Sequence, residues 1–263
     1  MTLRTVHAIR YVMPFREGSS VPALVEGDDL GHYLVKLRGA GQGPRALLAE
    51  LVSGELARAA GLRVPELVFV ELDARLARTE PDPEISVPLE RSAGLNLGLD
   101  YLPGSVTFDP LVGPAPDAPA ASRVVLFDAF VANVDRTPRN PNLLSWHRAL
   151  WLIDHGASLY FHHGWTREAP LDGARDPFRE VASHVLLRWA TELDAAAEHL
   201  RASLTPAVIR DIVSQIPDGW LSDDAGFSDE IEHRAAYRDW LLARVEALPL
   251  IVEEARRARA QLV

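Results

Sequence analysis

A chain of 263 residues can bury one large core or two smaller lobes, and 48% apolar with 24% charged residues is an ordinary globular composition. The net charge of −10 disfavours binding to a nucleic-acid backbone or an anionic membrane surface. The absence of Cys excludes disulfides and cysteine-based zinc sites. No apolar run approaches the ~18 residues of a membrane span, and charges interrupt the N-terminal segment too often for a signal peptide. We therefore expect a soluble, cytoplasmic protein.

The first third of the chain is predicted to be rich in β-strands and to contain one helix. The helix begins at Pro44, where a missing N–H costs nothing, and stops at Gly61. Its apolar residues recur at helical spacing. Residues 79–90, rich in proline and acidic residues, are predicted to be an exposed loop. Short β-prone runs between turn residues predict strands at 5–13, 21–26, 32–37 and 67–72.

The remainder is predicted to be mostly helical, around one short hairpin. A Gly- and Pro-rich region places a boundary near residue 105, which gives an N-lobe of residues 1–104 and a C-lobe of residues 105–263. The predicted hairpin consists of Leu143–Ser145 and Leu150–Ile153. Helices are expected near 122–133, 177–188, 189–203, 205–214 and 229–261.

Lys36 is the only lysine in the chain, since every other residue among the 27 basic ones is an arginine. Lysine and arginine are interchangeable on a solvated face, but not where a compact ammonium must contact one oxygen. Lys36 ends a predicted strand and precedes a helix with acidic residues, an order typical of the lysine that binds nucleotide phosphates in kinases. Glu50 on that helix could align it, with Glu55 as the alternative. A strand-edge lysine left by chance, and two glutamates on a solvated helix surface, are the simpler interpretations.

Asp135 and Asn140 lie five residues apart, the spacing of Asp and Asn in a kinase catalytic loop. A carboxylate there can orient the attacking hydroxyl, and an amide oxygen can hold magnesium beside the phosphates. Asp154 ends an apolar strand and is followed by x-Gly, the layout of a metal-binding aspartate in kinases. A common turn or a strand-ending Asp also explains each motif alone. Their order, together with Lys36, favours the joint interpretation.

The chain resembles the HipA-like kinases, which share a two-lobed fold with protein kinases and phosphatidylinositol kinases. The segments that carry the resemblance are YLVKLRGAGQGPRALLAELVSGELARAAGLRVPEL, GLNLGLDYLPG, LFDAFVANVDRTPRNPNLL and LWLIDHGASL. The resemblance implies an α+β, bilobal kinase-like fold and a phosphotransferase that depends on ATP and magnesium. The acceptor is expected to be a protein Ser or Thr, with a small-molecule or lipid hydroxyl as the alternative.

The resemblance also implies roles for single residues. Lys36 would contact the nucleotide phosphates, with Glu50 as its support. Asp135 would be the catalytic aspartate, and Asn140 and Asp154 would bind magnesium. The hinge whose backbone meets adenine would consist of Asp100, Tyr101 and Leu102.

No GxGxxG motif precedes the lysine, which departs from the protein-kinase pattern. Gly39, Gly41 and Gly43 instead lead into a helix N-terminus that could supply backbone N–H groups to an anion. A flexible connector between strand and helix is the alternative. Ser19 and Ser20 are candidates for the regulatory phosphoserine of the family.

Three alternative functions are compatible with parts of the sequence. A dinucleotide-binding oxidoreductase would use residues 32–72 as a strand–helix–strand unit, but it leaves residues 135–154 unexplained. A binding module on the kinase fold would bind nucleotide without turnover. A histidine–metal site could involve His155, His162 and His163, but adjacent histidines on a strand point to opposite faces, so we interpret all three as polar loop residues.

Overall fold

The computed structural model describes residues 2–15, 22–41, 43–112, 114–221 and 226–262. The N-terminal part contains a closed barrel with the strand order β1-β2-β3-β5-β4, in which β1 and β4 pair in parallel and all other neighbours are antiparallel. Valine side chains that suit a pleated sheet fill its interior. The five strands are β1 (Thr5–Pro14), β2 (Ala23–Gly27), β3 (His32–Lys36), β4 (Leu67–Leu72) and β5 (Gly94–Asp100).

Four of these strands were predicted, and β5 was not, because its glycines and the Pro after it indicated a loop. The predicted strands at 5–13, 32–37 and 67–72 are confirmed, and β2 is confirmed from Ala23 onward. The lobe boundary near residue 105 stays a prediction.

Helix α1 (Pro44–Ala59) packs between the barrel and the C-terminal part. Proline stands in its first turn, as predicted, and ten of its 16 residues are buried, so it is enclosed on most sides rather than amphipathic. A Cβ at Gly54 would lie 2.7 Å from Leu67, which shows how closely the helix approaches β4. The apolar residues of α1 belong to the large core that continues through the C-terminal part.

The strand topology contradicts the dinucleotide-binding alternative. In the first unit of a Rossmann domain the two strands that flank the helix are neighbours in a parallel sheet. Here β3 and β4, which flank α1 along the chain, are not neighbours, because β5 lies between them and pairs antiparallel with both. The oxidoreductase interpretation is therefore wrong.

Residues 79–90 contain a helix where an exposed loop was predicted. Helix α2 (Pro83–Arg91) starts with proline, and the Asp82 side chain caps it by accepting a hydrogen bond from the Glu84 N–H at 3.0 Å. Ile85 and Leu89, four residues apart, are buried on one face. The loop prediction is wrong because Pro and Asp at a helix start favour the helix.

A second, three-stranded sheet follows the barrel in the order β6-β7-β8. Its strands are β6 (Val106–Thr107), β7 (Leu143–Trp146) and β8 (Ala149–Leu152), so the predicted hairpin is confirmed. Helix α3 (Ala118–Phe130) precedes the hairpin. It starts four residues before the predicted position because Asp117 accepts a hydrogen bond from the Ala120 N–H at 2.7 Å.

In the described residues of the C-terminal part, four further α-helices follow: α4 (Leu193–Ser203), α5 (Pro206–Val213), α6 (Glu230–Glu246) and α7 (Leu248–Ala260). The single helix predicted over 229–261 is two helices, because Pro249 cannot continue α6 and instead stands in the first turn of α7. The helix predicted over 177–188 is wrong, since Phe178 has a positive φ of 62° and the segment forms 3-10 turns. No helix in the described part of the chain is long and apolar enough to cross a membrane.

Candidate functional site

A cleft of about 400 Å³ lies between the barrel and the three-stranded sheet, within the usual size range of small-molecule sites. Leu34 and Leu99 line it from the barrel, and Leu143 and Ile153 line it from the other side. These side chains make one part of the cleft apolar. Among the described residues, the charged ones in its lining are Lys36, Asp100 and Asp154.

Lys36 meets two carboxylates in this cleft. Its Nζ lies 3.2 Å from Glu50 Oε2 and 2.5 Å from Asp154 Oδ1. Burial alone opposes the charged form of each buried partner, but the opposite charges outweigh it, so the pKa of Lys36 is raised and that of Glu50 is lowered. Glu55, the alternative, instead lies 3.5 Å from Arg58. Glu50 is fully buried and is not part of a solvated helix face.

The histidines after Asp154 are not the polar loop residues that were predicted. His155 is fully buried, and its Nδ1 lies 3.5 Å from Glu50 Oε1. His162 is also buried, with its Nδ1 3.1 Å from the hydroxyl of Tyr237. An aromatic ring packs edge-on against each of them, that of Phe127 against His155 and that of Tyr237 against His162, both with ring centroids 6.2 Å apart. The described residues include no group of three or more His, Cys, Asp or Glu side chains that could hold an ion.

Asp135 lies beside the cleft and is held by its own loop. Its Oδ2 accepts hydrogen bonds from the Nδ2 atoms of Asn140 at 2.7 Å and of Asn142 at 3.2 Å, and both asparagines line the cleft. Its backbone N–H donates to Asn133 Oδ1 at 3.1 Å. The carboxylate is therefore positioned next to the cleft without an ion pair to Lys36.

Asn142 was missed by the sequence analysis. It directly precedes β7 and is 8% exposed, whereas the predicted Asn140 is exposed. Its φ of 48° is a left-handed conformation that Asn tolerates better than most residues. Its carbonyl oxygen accepts a hydrogen bond from the Ile153 N–H at 3.1 Å, which holds it beside the residue before Asp154. Its place immediately before the apolar pair Leu143-Leu144 is the signal that could have found it.

Asp154 follows β8 with a positive φ of 55° and a side chain that is 43% exposed. The turn after it runs close to α1, since a Cβ at Gly156 would lie 3.7 Å from the Ala46 carbonyl oxygen. The structure thus brings Asn140, Asn142 and Asp154 to one cleft, as the predicted pairing of Asn140 with Asp154 requires. Their roles stay predictions.

The oxygen donors of the cleft fit a divalent cation that also binds phosphates. The Asp154 carboxylate already faces a cation, the Lys36 ammonium. The two asparagines direct their amide nitrogens to Asp135, which leaves their amide oxygens as the atoms that could bind a metal. Magnesium prefers such oxygen ligands and completes its shell with phosphates and water.

The predicted hinge lines the cleft, but its three residues differ in what they can offer a base. The Asp100 N–H donates to the Glu66 carbonyl and the Tyr101 N–H to the His32 carbonyl, both at 2.9 Å. Within the described part of the chain, the Leu102 N–H has no acceptor. Of the three predicted hinge residues, Leu102 is therefore the one whose backbone N–H could donate to a base.

The predicted glycine loop does not line the cleft. Gly39 packs against α2, where an added Cβ would lie 2.7 Å from Arg91 Cβ and 3.0 Å from the Pro88 carbonyl oxygen. Gly41 and Gly43 have positive φ values of 56° and 66°, as a turn requires. The Gly43 N–H donates to the Ala40 carbonyl, so it is not free for a phosphate. The candidate phosphoserines, Ser19 and Ser20, lie outside the described residues.

The sequence matches the family model described as HipA-like kinase over residues 8–247. The chain belongs to the HipA-like kinase family. No curated protein sequence matches it. Among solved structures, the fold is similar to that of the Helicobacter pylori proinflammatory kinase CtkA, with a TM-score of 0.58 at 12% identity, covering 98% of this chain and 99% of that one.

Two structures of the Golgi casein kinase, one with Mn/ADP bound, are also similar at 12% identity, with TM-scores of 0.49 and 0.48. The similarity to the structure with Mn/ADP covers 100% of this chain and 75% of that one. The similarity to the other structure covers 96% of this chain and 72% of that one.

Membership in the HipA-like kinase family confirms the resemblance found in the sequence. The predicted α+β, kinase-like architecture, with a strand-rich N-terminal region and a helical C-terminal region, is also confirmed. The protein is accordingly a phosphotransferase of the kinase type.

Proposed function

We propose that the protein transfers a phosphoryl group from ATP, with magnesium, to a Ser or Thr hydroxyl of a protein. The observation that carries the proposal is the contact of Lys36 Nζ with both Glu50 and Asp154 in a cleft of nucleotide size. Phosphoryl transfer needs little covalent participation by the protein, so positioning and electrostatics supply most of the acceleration.

Lys36 is the group that would bind the phosphates. In the absence of phosphate oxygens its ammonium is neutralised by Glu50 and Asp154. Glu50 is buried and fixed, whereas Asp154 is partly exposed, so Lys36 can exchange Asp154 for a phosphate and keep Glu50. Asp154 would then be released to share magnesium with the phosphates.

Asp135 would orient the acceptor hydroxyl and accept its proton. Its carboxylate is fixed by two amide groups rather than by a cation, so it keeps its capacity as an acceptor. Asn142, with Asp154, is the better placed magnesium ligand, because a backbone hydrogen bond joins their strands. When bound, magnesium would neutralise part of the charge on the phosphates.

The acceptor is assigned by the family rather than by geometry. A protein Ser or Thr is the first choice, and a small-molecule or lipid alcohol on the same site is the second. A module that binds nucleotide without turnover is disfavoured, since Lys36, Asp135 and Asp154 lie at one cleft. Incubation with radiolabelled ATP and a degenerate Ser/Thr peptide mixture separates these cases, since phosphopeptide forms only if the first choice is right.

The nucleotide assignment is tested by comparing ATP with adenosine in a thermal-shift titration with and without magnesium. At 100 times its Kd a ligand adds about 2.7 kcal/mol to the unfolding free energy. The sequence alone suggests that Lys36→Ala leaves the fold intact. The structure predicts instead a cost of about 3–5 kcal/mol, because Glu50 would remain buried and unpaired.

The informative variant is therefore the neutral pair Lys36→Met with Glu50→Gln, which leaves neither charge uncompensated. We expect it to stay folded, to bind adenosine as the parent does, and to lose most of the additional affinity for ATP. Lys36→Arg should restore only part of that affinity, since a planar guanidinium differs from a point charge. Equal ATP affinity in the parent and the neutral pair would remove Lys36 from the phosphate site.

A further inference from the structure

A buried ion pair lies behind the catalytic loop. Asp128 on α3 and Arg136 are 0% and 1% exposed, and Arg136 Nε donates to Asp128 Oδ2 at 2.5 Å. Burial opposes ionisation of Asp128, but Arg136 and His184 outweigh it and lower its pKa. His184 Nδ1 accepts the Leu186 N–H at 3.0 Å, so its proton is on Nε2, which donates to Asp128 Oδ2 at 2.9 Å.

From this base, Arg136 reaches the backbone at both proposed magnesium ligands. Its Nη1 donates to the carbonyl oxygen of Asn142 and, at 3.3 Å, to that of Ile153, the residue before Asp154. The Arg136 carbonyl in turn accepts the Val185 N–H at 3.1 Å. One guanidinium therefore holds the start of β7 and the end of β8 at a fixed separation.

The same carboxylate also fixes Asp135. Asp128 Oδ1 accepts a hydrogen bond from Asn133 Nδ2 at 2.9 Å, and Asn133 Oδ1 accepts the Asp135 N–H at 3.1 Å. The proposed catalytic aspartate and both proposed magnesium ligands thus connect to one buried carboxylate. Asp135 connects through Asn133, and the backbone at Asn142 and before Asp154 connects through Arg136. None of these connecting side chains is in the lining of the cleft.

A buried ion pair is a poor source of stability, since desolvation offsets most of its attraction and apolar residues can often replace it. What apolar residues cannot do is bind a carboxylate and two carbonyl groups at once, which the planar guanidinium does through Nε and Nη1. The geometry points to a positional role for the pair.

We propose that Arg136 is a positioning residue for magnesium: anchored on Asp128, it sets the separation of Asn142 and Asp154 so that both side chains reach one ion. This inference rests on the proposed function. Outer contacts of metal ligands typically account for about 10–100-fold in metal affinity. Replacement of Arg136 should therefore reduce the affinity that magnesium adds to nucleotide binding and leave magnesium-free binding unchanged.

The test is calorimetric titration of ADP, with and without magnesium, into the parent, Arg136→Lys and Arg244→Lys. A lysine at position 136 can pair with Asp128, but its donors all lie on one nitrogen and cannot occupy both the Nε and the Nη1 positions from which Arg136 contacts the carboxylate and the two carbonyls. Arg244 is a matched control, because it is 1% exposed and binds backbone carbonyls of the same lobe, among them Phe130 at 3.0 Å and Ala174 at 3.3 Å. Both variants should unfold at lower temperature than the parent.

We expect Arg136→Lys to lose at least about tenfold of the magnesium-dependent gain in ADP affinity, on the scale of outer metal contacts, and Arg244→Lys to keep it. If Arg136→Lys keeps the gain, or loses magnesium-free affinity equally, the positioning role is wrong. If the parent itself shows no gain with magnesium, the proposed function is wrong. Should Arg136→Lys not fold, Arg136→Gln with Asp128→Asn removes both charges together and must show the same selective loss.

Discussion

At the scale of single residues, the choice between Asn142 and Asn140 decides how the cleft would bind magnesium. Asn142 is buried, precedes β7 and is tied to the end of β8, whereas Asn140 is exposed on the loop. Both donate to the Asp135 carboxylate. They therefore form a natural pair of variants, in which one asparagine serves as the control for the other.

We predict that Asn142→Gly reduces the magnesium-dependent part of ATP affinity at least about tenfold, the scale even of outer metal contacts. Asn140→Gly should reduce it much less. Glycine is the suitable replacement because Asn142 has a positive φ, which a residue with a Cβ would adopt under strain. The measurement is a magnesium titration at fixed ATP, followed by thermal shift. If Asn140→Gly loses more of this affinity than Asn142→Gly does, the magnesium ligand is Asn140, as the five-residue spacing from Asp135 predicts.

A second residue-scale prediction concerns acid stability. His233 is buried, stacked on Phe227 at 4.4 Å and Tyr237 at 5.3 Å between ring centroids. Burial, with nearby Arg45 and Arg234, lowers its pKa to about 4. The unfolded chain, with a His pKa of about 6.5, binds more protons between these values. The stability contributed by neutral His233 is therefore complete above pH ~6.5 and is lost as pH falls toward ~4.

His233→Phe keeps the stacking and removes the titration. We expect the melting temperature of the parent to fall from pH 7 to pH 5 more steeply than that of the variant. The buried His162 also has a lowered pKa, so some slope should remain. Parallel curves for parent and variant would contradict the assignment.

At the scale of elements, close packing and turn geometry explain why glycines stand in the connection between β3 and α1. Gly39 donates its N–H to Ser92 Oγ at 2.8 Å and lies against α2 with no room for a Cβ. Gly43 has open space around its Cα but a positive φ. Neither observation involves the cleft, and the predicted contact of these glycines with phosphate stays a prediction.

We predict that Gly39→Ala lowers the unfolding free energy by about 1–3 kcal/mol, the usual cost of overpacking, and leaves ATP affinity unchanged. Gly43→Ala is the comparison, with a cost of about 1–2 kcal/mol from the left-handed conformation alone. Urea denaturation gives the stabilities and thermal shift the affinities. A selective loss of ATP affinity in Gly39→Ala would contradict this prediction and show that the glycines contribute to the nucleotide site.

The elements that sequence reasoning found are those with strong periodic patterns. Lys36, Asp154 and the hairpin between β7 and β8 follow from an apolar run and a polar residue at its end. Asn142 was missed because counting from Asp135 selects Asn140, whereas adjacency to the strand selects Asn142. Helix α2 was missed because the Pro and acidic residues at its start are also the residues that are common in loops. The burial of His155 depends on distant residues, which no local pattern records.

At the scale of the whole molecule, the two parts of the chain share a core. Trp220, between α5 and α6, packs on Phe69 of β4 with ring centroids 5.8 Å apart. His199 Nε2 lies 2.9 Å from the carbonyl oxygen of Ala60, at the end of α1. The Leu3 N–H donates to Gln215 Oε1 at 2.9 Å. Helix α1, which carries Glu50, itself packs on α5 and on the turn that contains Trp220, so it is held against the C-terminal part.

We therefore predict that the amides of α1 exchange with solvent as slowly as those of α3 in the nucleotide-free protein, since amides in a packed core exchange through large openings. Trp220→Ala, with a cost of about 3–5 kcal/mol, should accelerate exchange in α1. Trp240→Ala is the control, because Trp240 is equally buried but stacks on Phe161 within the C-terminal part. Fast exchange of α1 in the parent would show that the helix moves independently.

The single lysine has a consequence for covalent chemistry. Reagents and enzymes that acylate or conjugate amines attack the neutral form, and Lys36 is buried with two carboxylates that keep it protonated. At neutral pH such chemistry should spare the side chain. A modified Lys36 would then report that its ion pairs had opened, not that a surface was exposed. Every lysine-directed mark on this protein, acetyl or ubiquitin included, would have to enter the cleft.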